Sequence, residues 1–149
     1  MSSPELSQTE ADALLAMEKI RSEDEIHEFP EQGGSIRLPL TCKEKREQFM
    51  LDVTRGRIEL KKASFQNRSR QTIILVRLDI FGAPHRNPDG EEVPCPHIHL
   101  YREGFADKWA APIDPLIFTN VDSQWDTLME FMEFCKIVDP PKIQAGLFT

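Results

Sequence analysis

Over residues 49–54 the apolar side chains of Phe49, Leu51 and Val53 alternate with Met50, Asp52 and Thr54. That is the period-two pattern of a strand with one buried face. Arg55-Gly56 reads as a turn, after which Ile58 and Leu60 resume the alternation. An earlier strand is predicted from Ser35 to Thr41, entered through an acidic, turn-like stretch with Pro30 and Gly33-Gly34. Ile73 to Ile80 is nearly continuous apolar, as expected of a central strand, and is broken by Arg77 and Asp79, which share one face. Asn87-Pro88-Asp89-Gly90 is a strong turn signal, and a last strand follows it through Ile98-His99-Leu100-Tyr101.

Helical periodicity is confined to the two ends. Ser7-Gln8-Thr9-Glu10 has the form of a capping box and opens a helix over about 8–22, with Leu14, Leu15, Met17 and Ile20 as its apolar stripe. Trp109 to Asn120 reads as a proline-marked loop. Asp122 or Ser123 then caps a final helix of about 123–137, striped by Trp125, Leu128, Met129, Met132 and Cys135 and widened by Phe131 and Phe134. That stripe is core rather than a cofactor box. The predicted order α-β-β-β-β-β-α has no helix-length crossovers between strands. It implies an α+β fold in one domain, 1–149, whose sheet over about 35–102 is an antiparallel meander of about five strands with both helices packed on it.

The candidate chemistry lies on the last strand. Extended backbone turns His97, His99 and Tyr101 to one side and Ile98 and Leu100 to the other. If this strand pairs with 73–80, Arg77 and Asp79 join the two histidines and the tyrosine on one face. Such a set suits metal-independent phosphodiester cleavage: one histidine removes a proton from the attacking hydroxyl, another group protonates the leaving oxygen, and Arg77 stabilises charge on phosphorus. The same residues also allow an architectural role, with the histidines hydrogen-bonded to a following loop. Cys95, His97 and His99, with His85 as a fourth donor, would suit zinc. The usual C-x-x-C and H-E-x-x-H spacings are absent, so the preferred expectation is no metal and no cofactor.

Charge changes the picture by its distribution. The chain is 149 residues long with a net charge of −7, which argues against a simple nucleic-acid-coating protein. Residues 1–31 carry nine acidic and two basic side chains, and 122–139 carry five acidic and one basic. Between them, residues 55–77 carry seven basic side chains against Glu59 alone. A field of this shape would hold phosphate at the centre and repel it elsewhere. Lys61, Lys62, Arg68 and Arg70, with Arg86 beyond, are the candidate nucleic-acid contacts, the stretch from Lys61 to Gln71 being either a phosphate grip or an exposed hairpin end.

The three cysteines are odd in number and widely spaced, and no apolar run is long enough to cross a bilayer. With no signal-peptide pattern at the N-terminus, a reducing cytoplasm is the expected compartment. No P-loop, dinucleotide fingerprint or nucleophile elbow is present, which leaves NTPase, Rossmann dehydrogenase and α/β-hydrolase readings without support.

Several segments carry a resemblance to a known group: Glu10-Ala11-Asp12 with Leu14-Leu15, the run from Phe49 to Ile58, Phe65-Gln66-Asn67-Arg68 and Leu75 to Asp79. They continue through Pro84-His85-Arg86-Asn87-Pro88-Asp89-Gly90, Pro96 to Gly104 and Lys108-Trp109-Ala110. In these the chain resembles a family of uncharacterised bacterial and prophage-borne proteins, a domain of unknown function. More distantly, Pro84-His85 and Pro96-His97-Ile98-His99 are similar to the late, proline-preceded histidine cluster of TumE-type toxins. That second resemblance implies a small toxin-like ribonuclease of toxin–antitoxin modules, acting in phage–host conflict.

The expectation is therefore a metal-independent ribonuclease acting on RNA. His97 and His99 would be acid and base, Arg77 and Arg68 phosphate contacts, and Tyr101 a helper, with a cognate antitoxin as partner. The alternative is a non-enzymatic anti-defence inhibitor or antitoxin-like protein that binds a host or phage protein through its charged surfaces, with no membrane partner in either case.

Overall fold

The computed structural model describes residues 5–145. Helix α1 spans Gln8–Ala16 and α2 spans Gln124–Phe134. The strands are β1 Lys19–Arg21, β2 Ile26–Glu28, β3 Ser35–Thr41, β4 Gln48–Arg55, β5 Ala63–Ser69, β6 Ile73–Ile80, β7 His85–Arg86, β8 Glu92–Val93, β9 His97–Leu100, β10 Ala110–Pro112, β11 Ile137–Asp139 and β12 Lys142–Gln144. The fold is α+β. Its main sheet is open and eight-stranded in the order β10-β9-β6-β5-β4-β3-β1-β11, antiparallel except where β1 meets β11.

The meander of about five strands is thus the centre of a wider sheet. The added strands β1, β10 and β11 are three residues each, too short for alternation to be read from sequence. They complete the edges of a sheet whose register is set by β3 to β6. Ile58 and Leu60 do not continue a strand. They lie exposed, at 94% and 60%, in the loop between β4 and β5. Most of the basic stretch is central strand β5, Ala63–Ser69, with Phe65, Asn67 and Ser69 fully buried, and only Arg70 and Gln71 form the hairpin turn into β6.

One sheet face is apolar. Leu38 and Leu40, Phe49, Leu51 and Val53, Phe65, and Val76, Leu78 and Ile80 form it, and all are buried. Helix α2 lies on this face, its Phe131 ring 6.0 Å from that of Phe65. An isolated helix of 11 residues is marginal in water, so packing decides its stability. Burying Leu128, Phe131 and Met132 is worth about 1.5–3 kcal/mol each, against about 1 kcal/mol for the Ser123 cap on the Asp126 N–H.

The capping box at Ser7 and Glu10 is present, but α1 stops at Ala16, short of the predicted 22. Lys19 explains the stop. Its fully buried ammonium donates to the carbonyls of Leu15 and Met17, which the helix end leaves free, and to that of Cys135 just past α2. Ile20 consequently belongs to β1 rather than to a helical stripe. α2 likewise ends before 137, where Lys136 turns to φ 60° and the chain enters β11.

Candidate functional site

The other sheet face is polar, and its side chains line up across five strands. Arg37, Asp52, Gln66, Arg77 and His99 are successive cross-strand partners from β3 to β9. The adjacent rung is Ser35, Thr54, Ser64, Asp79 and His97. Alternation alone puts both rungs on one side. At the β3 end they are open to solvent, where Ser35, Arg37, Asp52, Thr54, Gln66 and Arg68 line a hollow of about 260 Å³. At the β9 end they are covered by the β7–β8 hairpin and the segment 102–109. Asn87 holds the hairpin there by exchanging two hydrogen bonds with the Ala110 backbone, at 2.8 and 3.0 Å.

Beneath that cover, β6 and β9 bring together four of the five residues expected to share a face. Asp79 Oδ2 lies 3.1 Å from His97 Nε2 and 3.2 Å from His99 Nε2. Asp79 Oδ1 accepts from the Ser64 hydroxyl at 2.8 Å. Arg77 donates from Nη1 to Asp107 Oδ2 at 2.7 Å, and its Nε lies 3.3 Å from the Asp79 carboxylate. Burial acts to raise the Asp79 carboxyl. The Arg77 guanidinium and the Ser64 hydroxyl act against it, and the group is held well below the usual carboxylate range.

The histidines are the most enclosed members, His97 at 2% and His99 at 0% exposure, while Arg77 and Asp79 keep about a quarter of their side chains in solvent. His85, half-buried on β7, packs its ring edge-on to His99 at 4.6 Å and lies 6.0 Å from His97. A carbonyl oxygen only accepts, so two tautomers follow from the backbone. His99 Nδ1 donates to Asp107 O at 2.8 Å, and His85 Nε2 donates to Lys108 O at 2.7 Å. In the neutral ring His99 Nε2 is then a lone pair, which accepts from Arg77 Nη2 at 3.0 Å.

Tyr101 is not part of this cluster. Its hydroxyl donates to Leu6 O and accepts from Leu6 N–H, at 2.8 and 2.9 Å, tying the segment before α1 to the end of β9. Of the donors expected for zinc, His97 and His99 converge with Asp79, while Cys95 and His85 fall outside that group. The Cys95 thiol sits 3.5 Å from His97 Nδ1, the ring nitrogen nearer the thiol, and burial with the Asp79 charge pushes it up from its ordinary range. Pattern reading missed Ser64 and Asp107. Ser64 has a signal, its register opposite Asp79; Asp107 sits in a loop and has none.

The basic candidates divide. Arg68 forms a fork on Asp52, Arg70 pairs with Glu47 and Arg86 with Glu92. Lys61 and Lys62 form no ion pair among the described residues; Lys61 lies over the Phe81 ring at 5.5 Å. Lys62 and the Cys95 thiol both lie against Gly82, which puts this lysine on the Cys95 side of the histidine cluster. Arg68 and Arg70 are at the far end of β5.

No helix among the described residues is long and apolar enough to cross a membrane. No curated protein and no solved structure matches the chain. Residues 6–137 do match a family profile, and that span holds both helices and every residue of the polar cluster. The chain belongs to the Family of unknown function (DUF6978).

Proposed function

We propose that this chain is a toxin-like enzyme that cleaves RNA phosphodiesters in the cytoplasm, carried on a bacterial or prophage mobile element and held in check by a cognate antitoxin. The observation that carries the proposal is the contact of one ionised carboxylate, Asp79, with both His97 and His99, beside Arg77. It supports proton transfer next to a cation that meets charge developing on phosphorus. The likeness of the Pro84-His85 and Pro96-His97-Ile98-His99 segments to TumE-type toxins points the same way.

Burial divides the roles. His97 and His99 lie behind the surface and, with Asp79, fix the arrangement. His85, with Nε2 committed to Lys108 O, keeps Nδ1 to take the proton of the attacking 2′-hydroxyl as its oxygen bonds to phosphorus, and returns that proton to the 5′-oxygen as the P–O5′ bond breaks. Arg77 faces the phosphoryl oxygens, and Lys61 and Lys62 hold the flanking backbone. The polar rungs provide a path of hydroxyls and amides toward the cluster for a single strand.

Expression of the wild type beside His85→Ala and Asp79→Asn tests this reading. Growth arrest with RNA fragmentation in the wild type, relieved in both variants, is expected. Equal growth with intact RNA in all three would overturn it. One observation favours a second reading, a binding protein that inhibits a host or phage protein: three of the five basic candidates are already neutralised within the chain. That reading predicts a complex in a pull-down that survives His85→Ala and weakens when Lys61 and Lys62 are reversed to glutamate.

A further inference from the structure

We propose that Asp79, His97 and His99 form a binding site for one divalent cation of the zinc class, a site that goes beyond the RNA-cleavage reading and does not depend on it.

The spacing of the donors is the first ground. One ligand atom from each of the three residues falls within 4.8 Å of the others. The two nitrogens lie 3.1 and 3.2 Å from the shared Asp79 oxygen. Tetrahedral zinc with bonds of about 2.0–2.1 Å places its ligand atoms about 3.3–3.4 Å apart. Both histidine nitrogens therefore stand near ligand separation from the Asp79 oxygen, and the two rings, whose nitrogens lie within 4.8 Å of each other, close on a cation by side-chain rotation.

The second ground is the polarity of the contacts. With Nδ1 fixed on Asp107 O, the lone pair of His99 Nε2 confronts an ionised carboxylate oxygen at 3.2 Å. Two electron-rich atoms at this distance are not a hydrogen bond. A doubly protonated ring would satisfy Asp79 and then oppose the Arg77 N–H at 3.0 Å. A cation placed between Nε2 and Oδ2 removes the conflict. Backbone carbonyls holding the distal ring N–H are also the usual outer support of metal-bound histidine. His99 has that support, and so does neighbouring His85, both from the segment Asp107-Lys108.

Charge is the third ground. Among the groups in direct contact, Asp79 and Asp107 outnumber Arg77, so with neutral histidines they sum to −1, Lys62 lying further out beyond Cys95. Arg77 is the competitor, since its Nη2 occupies the His99 lone pair. It can yield because Nη1 retains Asp107 at 2.7 Å. His97 adapts without net proton release: its hydrogen leaves Nε2 for Nδ1, where Cys95 Sγ stands 3.5 Å away as acceptor. Three protein donors leave a fourth position for water, which the bound ion would acidify.

The test uses the full chain purified without a histidine tag, titrated separately with zinc chloride and cobalt chloride. One zinc per chain and a four-coordinate cobalt absorption band are expected. Asp79→Asn and His99→Gln, checked for folding by circular dichroism, should each lose the band. Arg77→Gln removes a like charge beside the ion and should tighten binding about tenfold. Wild-type protein with no stoichiometric metal and no cobalt band overturns the site, whatever the variants do. Retention of the band in folded Asp79→Asn also overturns it. No RNA enters this measurement, so its failure leaves the cleavage reading intact, and intact RNA in cells leaves the metal site intact.

Discussion

Arg77 on β6 stands directly opposite His99 on β9, and its Nη2–H donates to the ring Nε2 at 3.0 Å. The same guanidinium reaches Asp79 two residues along its own strand and Asp107 from the covering segment. One side chain therefore links strand, neighbouring strand and cover, and Asp79 is held ionised at its centre.

A group whose folded pKa is depressed stabilises the fold fully above its unfolded value and loses that contribution as pH falls. For Asp79 the unfolded value is near the ordinary 3.8, so the loss begins below about pH 4 and continues downward. Thermal unfolding followed between pH 5 and pH 2 should fall more steeply for the wild type than for Asp79→Asn. Parallel curves would show that the carboxylate carries no such linkage.

Tyr101 separates structure from chemistry. Removing its hydroxyl leaves the Leu6 N–H and C=O without their partner in a buried setting, which costs about 1–3 kcal/mol. Tyr101→Phe should unfold at lower urea concentration and keep both RNA cleavage and metal binding. A loss of cleavage at unchanged stability would return Tyr101 to the site.

The basic candidates should behave in opposite ways. Asp52 is 8% exposed and forked by Arg68, so Arg68→Ala leaves it with the Gln66 amide as its remaining side-chain donor and costs about 2 kcal/mol. Lys61→Ala and Lys62→Ala touch no ion pair among the described residues and should alter stability by less than about 0.5 kcal/mol. If RNA is the ligand, a filter-binding assay should show weaker affinity for the lysine variants, with a shallower salt dependence. Unchanged affinity in both would remove these lysines from the interface.

What could be read from the chain depended on how local the cause was. The pattern of β3, β6 and β9 predicted their extents closely, because a two-sided sheet imposes period two on side chains. The shared face of Arg77, Asp79, His97 and His99 followed from that period plus one pairing. Residues 58–60 failed because alternation without a partner strand is not a strand, and Ile58 points into solvent. Arg68 and Arg70 looked free because Asp52 and Glu47, which neutralise them, are distant in sequence. Asp107 and the carbonyl that fixes His99 belong to a loop brought back by tertiary contacts, and loops carry no periodic signal.

Lys19 is the longest-range case, and its effect can be measured. Its ammonium is fully buried, with three carbonyl partners and the Phe49 ring 4.9 Å below it. Burial lowers it from 10.5 to about 8. Below pH 8 the ammonium is charged in both states, and the penalty for burying it, on the order of 3 kcal/mol, applies in full. Between pH 8 and 10.5 the unfolded chain binds more protons than the folded one, so this penalty fades and stability from this group rises with pH. Cys135, pushed up to about 12 by burial, stays a thiol across that window and does not blur it. Lys19→Met keeps the volume and removes the titration, at the cost of three carbonyls without their donor. Chemical denaturation of both proteins at pH 7.5 and pH 10.5 should show the wild type gaining on the variant as pH rises. A constant difference would mean that Lys19 titrates alike in the folded and unfolded chain, and that its three hydrogen bonds fully offset its burial.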